Sequence, residues 1–204
     1  MKYLQTVLIV LLAAAGASGC NAGNPPPEET GGDYVTQIQV ERAAKDQAFR
    51  DQPNEPVPAA KVGQFLPLKY FPPDPEYAVP ASLNPSTERT PVEMVTSAGK
   101  IRKHERVGVL EFTLKGKPMT LGAYVEEGAS LKRLFVPFKD MTSGTETYAA
   151  GRYLELDATA SGVYTIDFNK AFNPYCYYNA SYDCPYPPRE SVLSLPIRAG
   201  ERLP

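Results

Sequence analysis

The sequence predicts a mainly β fold: an antiparallel barrel or sandwich of about seven strands, with one N-terminal amphipathic helix and a proline-rich wrapping segment. Three observations carry this. Beyond Pro91 the apolar residues recur with period two in strand-length runs. The segments between those runs are too short for helical crossovers, so neighbouring strands run antiparallel. Proline is abundant at 21 and tryptophan absent, which disfavours a helical bundle.

In chain order, Met1-Lys2 gives a short positive start, followed by an almost unbroken apolar run from Tyr3 to Ala15 and the small residues Ala17-Ser18-Gly19 before Cys20. The run is shorter than the roughly 20 apolar residues that span a bilayer. Residues 1–19 therefore read as a signal peptide. The motif Ala17-Ser18-Gly19-Cys20 resembles the lipobox of bacterial lipoproteins, with Ala17 where leucine is commonest. That resemblance implies lipidation of Cys20, with membrane attachment through the lipid as the partner interaction. The expected location is the outer face of the cell membrane or the outer membrane; Asn21, not aspartate, follows Cys20 and favours the latter. Residues 20–33, with Pro25-Pro26-Pro27 and Gly31-Gly32, form a polar tether.

One mainly-β domain is expected over residues 34–204, a length suited to one core. Residues 34–50 carry apolar positions Tyr34, Val35, Ile38 and Phe49 at helical spacing with good helix formers between them, and Pro53 should stop the helix. Its stripe is narrow, as in a helix laid across a sheet or barrel end. Ten prolines between Pro53 and Pro91 exclude long regular elements there, and Phe65, Leu66, Leu68, Tyr70 and Phe71 should pin this segment to the core. The expected strands cover residues 92–96, 100–107, 109–114, 119–125, 131–138, 148–156 and 163–168. Lys115-Gly116-Lys117 and Ala160-Ser161-Gly162 are short enough for hairpins, giving a meander whose closure into barrel or sandwich the periodicity does not choose.

Charge names no partner: 21 Lys plus Arg face 23 Asp plus Glu, and a net charge of -2 gives no nucleic-acid footprint. One histidine and scattered cysteines match no metal-ligand spacing, and the sequence lacks a serine nucleophile elbow, a phosphate-cradling loop and a dinucleotide fingerprint. No metal or cofactor is expected. Lys100, Arg102, His104 and Arg106 share one strand face, read as a solvated basic surface. With Cys20 acylated, Cys176 and Cys184 remain as an even pair in an oxidising compartment, and a disulfide is expected.

The C-terminal half carries Arg106-x-Gly108, Phe138, Asp140, Thr142, Thr147-Tyr148, Gly151-Arg152-Tyr153, Asp167, Asn169, Asn173-Pro174, Cys176, Cys184-Pro185 and Gly200-Glu201. Through these the chain resembles the bacterial and archaeal family known as domain of unknown function 1684, from about Glu41 to Glu201. Phe172 and Ser191 depart from its pattern, where tyrosine and asparagine are expected. The resemblance implies no activity.

Physically, Arg106, Asp140, Thr142, Tyr148, Arg152, Asp167, Asn169 and Asn173 are the candidate ligand-binding residues. Guanidinium forks could hold a carboxylate or phosphate if these groups share a barrel mouth. Three readings stay open: a lipid-tethered module binding a small anionic ligand, a hydrolase using Asp140 or Asp167 as base with Arg152 as electrostatic support, or a structural envelope lipoprotein in which Arg152 is buried against Asp167.

Overall fold

The computed structural model describes residues 31–52 and 55–204. The expected leader, Cys20, Pro53 and most of the tether lie outside the described residues. The helix α1 spans Gly31–Asp51, beginning inside the segment assigned to the tether. Six strands follow: β1 (Ala78–Val95), β2 (Ile101–Leu114), β3 (Lys117–Glu126), β4 (Arg133–Phe138), β5 (Arg152–Asp157) and β6 (Val163–Asp167). They form one antiparallel sheet in the order β5-β4-β3-β2-β1-β6.

The expected pair of strands at residues 100–107 and 109–114 is a single strand, because the register merely shifts between Arg106 and Gly108 against β3. A bulge of this kind bends a strand without ending it. The exclusion of regular structure up to Pro91 is also corrected, since β1 runs through Pro80, Pro85 and Pro91. Strand β1 pairs with β6 only from Ala78 to Ser82, so Pro85 and Pro91 lie where one side of the strand is a free edge and needs no donor. The Lys115-Gly116 hairpin forms as expected, both residues having positive φ (49° and 76°).

Residues 158–162 do not form a hairpin: they join the two opposite edges of the sheet. In a flat six-stranded sheet those edges would lie about 24 Å apart at ~4.8 Å per gap. Five linking residues reach only about 20 Å even when fully extended. The sheet must therefore curl, and it does, into a nearly closed barrel whose seam is tied by Tyr153 and Phe172, each donating its N–H to the other's carbonyl at 2.9 and 3.0 Å.

Inside the barrel pack Leu110, Leu121, Leu134, Val136, Phe138 and Ile166, joined by Leu193, Ile197 and Ala199 of the C-terminal tail. Helix α1 lies against the end of β6, with Ile38 and Phe49 buried and the Tyr34 hydroxyl donating to Asp167 at 2.8 Å. Phe49, Val57, Leu68 and Tyr178 make a second, smaller core, so Phe65, Leu66, Leu68 and Tyr70 pin the wrapping segment there and not to the barrel interior.

Candidate functional site

Strand alternation sends Arg152 of β5 inward with Leu154, while Arg106 of β2 points outward with its cross-strand neighbour Tyr124. The two arginines therefore stand on opposite faces of one sheet. Arg152 is 1% exposed and held through both terminal nitrogens: Nη2 donates to Asp140 Oδ2 at 3.0 Å and to the Ile197 carbonyl at 2.8 Å, and Nη1 donates to the carbonyls of Ala199 and Glu201, while the buried Nε has no hydrogen-bond partner among the described residues. The Asp140 Oδ1 atom accepts from the Thr142 N–H, the Thr142 hydroxyl and the Ile197 N–H at 2.7, 2.6 and 3.1 Å. This network clamps the tail into the barrel.

Asp167 belongs to a different network. Its Oδ1 accepts from the Asn169 N–H at 3.0 Å and from Tyr34, while Asn169 brackets the backbone of Asp74 with its amide. Asn173 donates its N–H to Glu201 at 2.7 Å, and Tyr148 packs its ring on Tyr177. The expected convergence of Arg106, Arg152, Asp140 and Asp167 in one mouth is thus overturned, as is the pairing of Arg152 with Asp167. Seven of the eight candidates are divided among separate internal contacts, and Arg106 stands apart on the outer face with its buried Nε lacking a hydrogen-bond partner among the described residues.

The open space lies on the outer face of the same sheet. Arg102, His104, Phe135 and Tyr153 point outward from β2, β4 and β5, and the segment from Tyr175 to Pro185 folds over them, leaving a cleft of about 900 Å³. That volume is of the size expected for a small-molecule site. The covering segment is fastened at three points: Tyr153 donates its hydroxyl to the Pro185 carbonyl, Arg102 donates to the Asp183 carbonyl at 2.8 Å, and Pro185 bridges to Thr96. Next to it, Gly122 has no side chain because Tyr124 folds back over it, with the hydroxyl 2.2 Å from where a Cβ would sit.

The floor of the cleft is aromatic. The His104 ring stacks on Phe135 at 5.5 Å and 27°, and Tyr153 meets Phe135 edge-on at 4.7 Å. His104 is buried, contrary to the solvated face the sequence suggested, and burial lowers its pKa so that the ring is neutral at pH 7. Four cations border the space. Lys45 is bound to Glu201 at 2.6 Å and Arg133 to Glu155 and Asp157 at 3.0 Å, whereas Arg102 and Lys132 form no ion pair among the described residues. Sequence reasoning grouped Arg102 with His104 but missed Lys132, Phe135 and Tyr182, because the walls come from segments far apart in the chain. The available signal was the outward phase of β2, β4 and β5.

The expected Cys176–Cys184 disulfide is not formed; both cysteines are free. Cys184 stands in the cleft wall, and the Cys176 N–H donates to its sulfur at 3.3 Å. Hydrogen bonding from Cys184, supported by Ser97 and Tyr148, pulls the Cys176 thiol down to about 6, while the same contact and burial push Cys184 up.

Fold and cleft together define a mainly-β, barrel-like domain with a covered pocket on its outer face. The chain belongs to the family described as protein of unknown function (DUF1684), whose model matches residues 63–202. It is also similar to an uncharacterized protein of Haloarcula marismortui solved by solution NMR. The two are 35% identical over 85% of this chain and 96% of that one, with a TM-score of 0.67. Among curated proteins none matches.

Proposed function

We propose that this is an exported lipoprotein, tethered to the cell envelope through a lipid on Cys20, whose barrel binds a small anionic ligand with a flat apolar part in the outer-face cleft. The observation that carries the reading is the pairing of an aromatic floor with two cations lacking carboxylate partners, Arg102 and Lys132, around about 900 Å³ of space. A guanidinium and an ammonium so placed attract an anion, and the rings offer faces on which a planar group stacks. The hydrolase reading through Asp140 and Arg152 has no such support, because both side chains are 1% exposed and bound to each other and to the C-terminal tail.

The test uses anilinonaphthalene sulfonate, a fluorescent aromatic anion, titrated against the folded chain. Saturable binding is expected, weakened roughly tenfold for each lost charge-assisted contact in Lys132→Ala and further in the double variant with Arg102→Gln. The uncharged phenylnaphthylamine should bind more weakly than the sulfonate. Equal affinity of the parent and the double variant, with unchanged circular dichroism, removes the cleft reading.

A further inference from the structure

The cysteine pair is built differently from two thiols packed as small apolar side chains. Cys176 is only half-buried, and its N–H donates to the Cys184 sulfur at 3.3 Å, which sets the two cysteines side by side. Cys184 is the buried member, 8% exposed, with its own N–H held by the Ser97 hydroxyl at 3.0 Å. Cys176 is therefore the accessible member, with its thiol pulled down by the hydrogen bond from Cys184, and Cys184 is the buried member beside it. Thiolate character and access set the rate of attack on a disulfide, and a second thiol in reach completes the exchange.

The surroundings add a second, independent observation. Residues 177–183 loop out between the two cysteines, and this loop supplies Ser181, Tyr182 and Asp183 to the cleft wall. Its ends are fixed by the turn of 3₁₀-helix at Tyr175–Tyr177 and by the Thr96–Pro185 bridge. A bond between the cysteines would close this loop between two segments that are already anchored.

We infer that Cys176 and Cys184 form a redox couple whose substrate class is small disulfides, with Cys176 as attacking thiolate and Cys184 as resolving thiol. In the first step the Cys176 sulfur attacks one sulfur of a small disulfide. A Cys176–S bond forms, the small disulfide's S–S bond breaks, and the departing thiolate takes a proton from solvent. In the second step Cys184 loses its proton to solvent and attacks the Cys176 sulfur, expelling the second small thiolate. The protein dithiol is oxidised by two electrons and the small disulfide is reduced to two thiols. Excess small thiol runs both steps backwards. This assignment is independent of ligand binding in the cleft.

The experiment uses the full chain carrying Cys20→Ser, so that no third thiol competes, reduced and then exposed to oxidised glutathione. Intact-mass analysis with maleimide trapping should show loss of both thiols and of two hydrogens, with no retained glutathione. Cys184→Ser should instead accumulate one glutathione on Cys176, and Cys176→Ser should stay unmodified over the same interval. In parallel, iodoacetamide on the reduced chain with both cysteines intact should label Cys176 well before Cys184, a measurement that needs neither variant to fold. A stable adduct on the unsubstituted pair, modification of Cys176→Ser at the parent rate, or equal labelling of the two thiols would each overturn the assignment.

Discussion

Replacing Arg152 by alanine tests whether the interior arginine is a brace or a ligand contact. The substitution leaves Asp140 without its cation and frees the carbonyls of Ile197, Ala199 and Glu201 inside the barrel. Removing one member of a buried ion pair typically costs about 3–5 kcal/mol, because the remaining charge keeps its desolvation penalty. Asp140 retains three donors from Thr142 and Ile197, which holds the expected loss near that range and not above it. For a domain of this size about 1 kcal/mol moves Tm by roughly 2–4 °C, so the variant should melt about 6–20 °C below the parent. The assay is thermal unfolding followed by circular dichroism, alongside anilinonaphthalene sulfonate binding below the transition. Asp140→Asn should lose less than Arg152→Ala, since the amide still accepts from Thr142 and Ile197. Loss of under about 1 kcal/mol in Arg152→Ala, combined with abolished probe binding, would refute the brace and return Arg152 to the ligand site.

Two further outcomes follow. His104 is the one histidine in the chain, and its pKa is lowered by burial from the ordinary value near 6.5. The native ring therefore binds fewer protons than the unfolded one, so its contribution is fully present above about pH 6.5 and is lost as pH falls toward the lowered value. Stability measured by urea unfolding should decline between pH 6.5 and 5, by at most ~1.4 kcal/mol per unit from this group, and His104→Phe should flatten that limb. For the anchor, Cys20→Ser should shift the chain from the membrane fraction to the soluble or unprocessed one, because the polar tether has no membrane affinity of its own. Unchanged partition of a processed chain would count against lipidation.

Much of the barrel was legible because its strands obey period two: residues 119–125 and 163–168 differ from β3 and β6 by only a residue or two at each end. The bulge at Gly108 was misread as a break, since sequence shows the interruption of alternation but not whether pairing resumes. Strand β1 was hidden by its prolines. Whether a proline is tolerated depends on which side of the strand has a neighbour, and that is set by the whole sheet. The candidate residues fall on different faces of the sheet, and none of them lines the cleft. Arg152 shares its phase with Leu154 and Leu156, an inward position; the sequence left open both a ligand contact and burial against Asp167, and the buried partner is Asp140. The cleft could not be read at all, as it needs the Tyr175–Pro185 segment folded over β2, β4 and β5.

The residues that carried the family resemblance now have physical jobs, and these bear on where function is to be sought. Asp140, Thr142 and Arg152 hold the tail at Ile197, Ala199 and Glu201. Gly200 lies at φ 76° with its missing Cβ 2.5 Å from the Ala171 carbonyl, so the tail can enter only with glycine there. Glu201 in turn accepts from Lys45, Asn173 and Tyr178, joining helix α1 and the tyrosine loop to the tail. Asp167 and Asn169 fasten the start of helix α1 and the Asp74 turn to β6. These groups are tied to internal partners within the fold, and a group so held has little left to offer a ligand. Cys176 and Cys184, also among the resemblance residues, are free thiols, with the Cys176 N–H donating to the Cys184 sulfur. What such a pattern specifies is a tail-plugged barrel with a dithiol on its flank. Arg102, Lys132 and Phe135, the proposed ligand contacts, lie outside that pattern, so on that proposal a barrel of the same construction would change ligand preference by changing them alone.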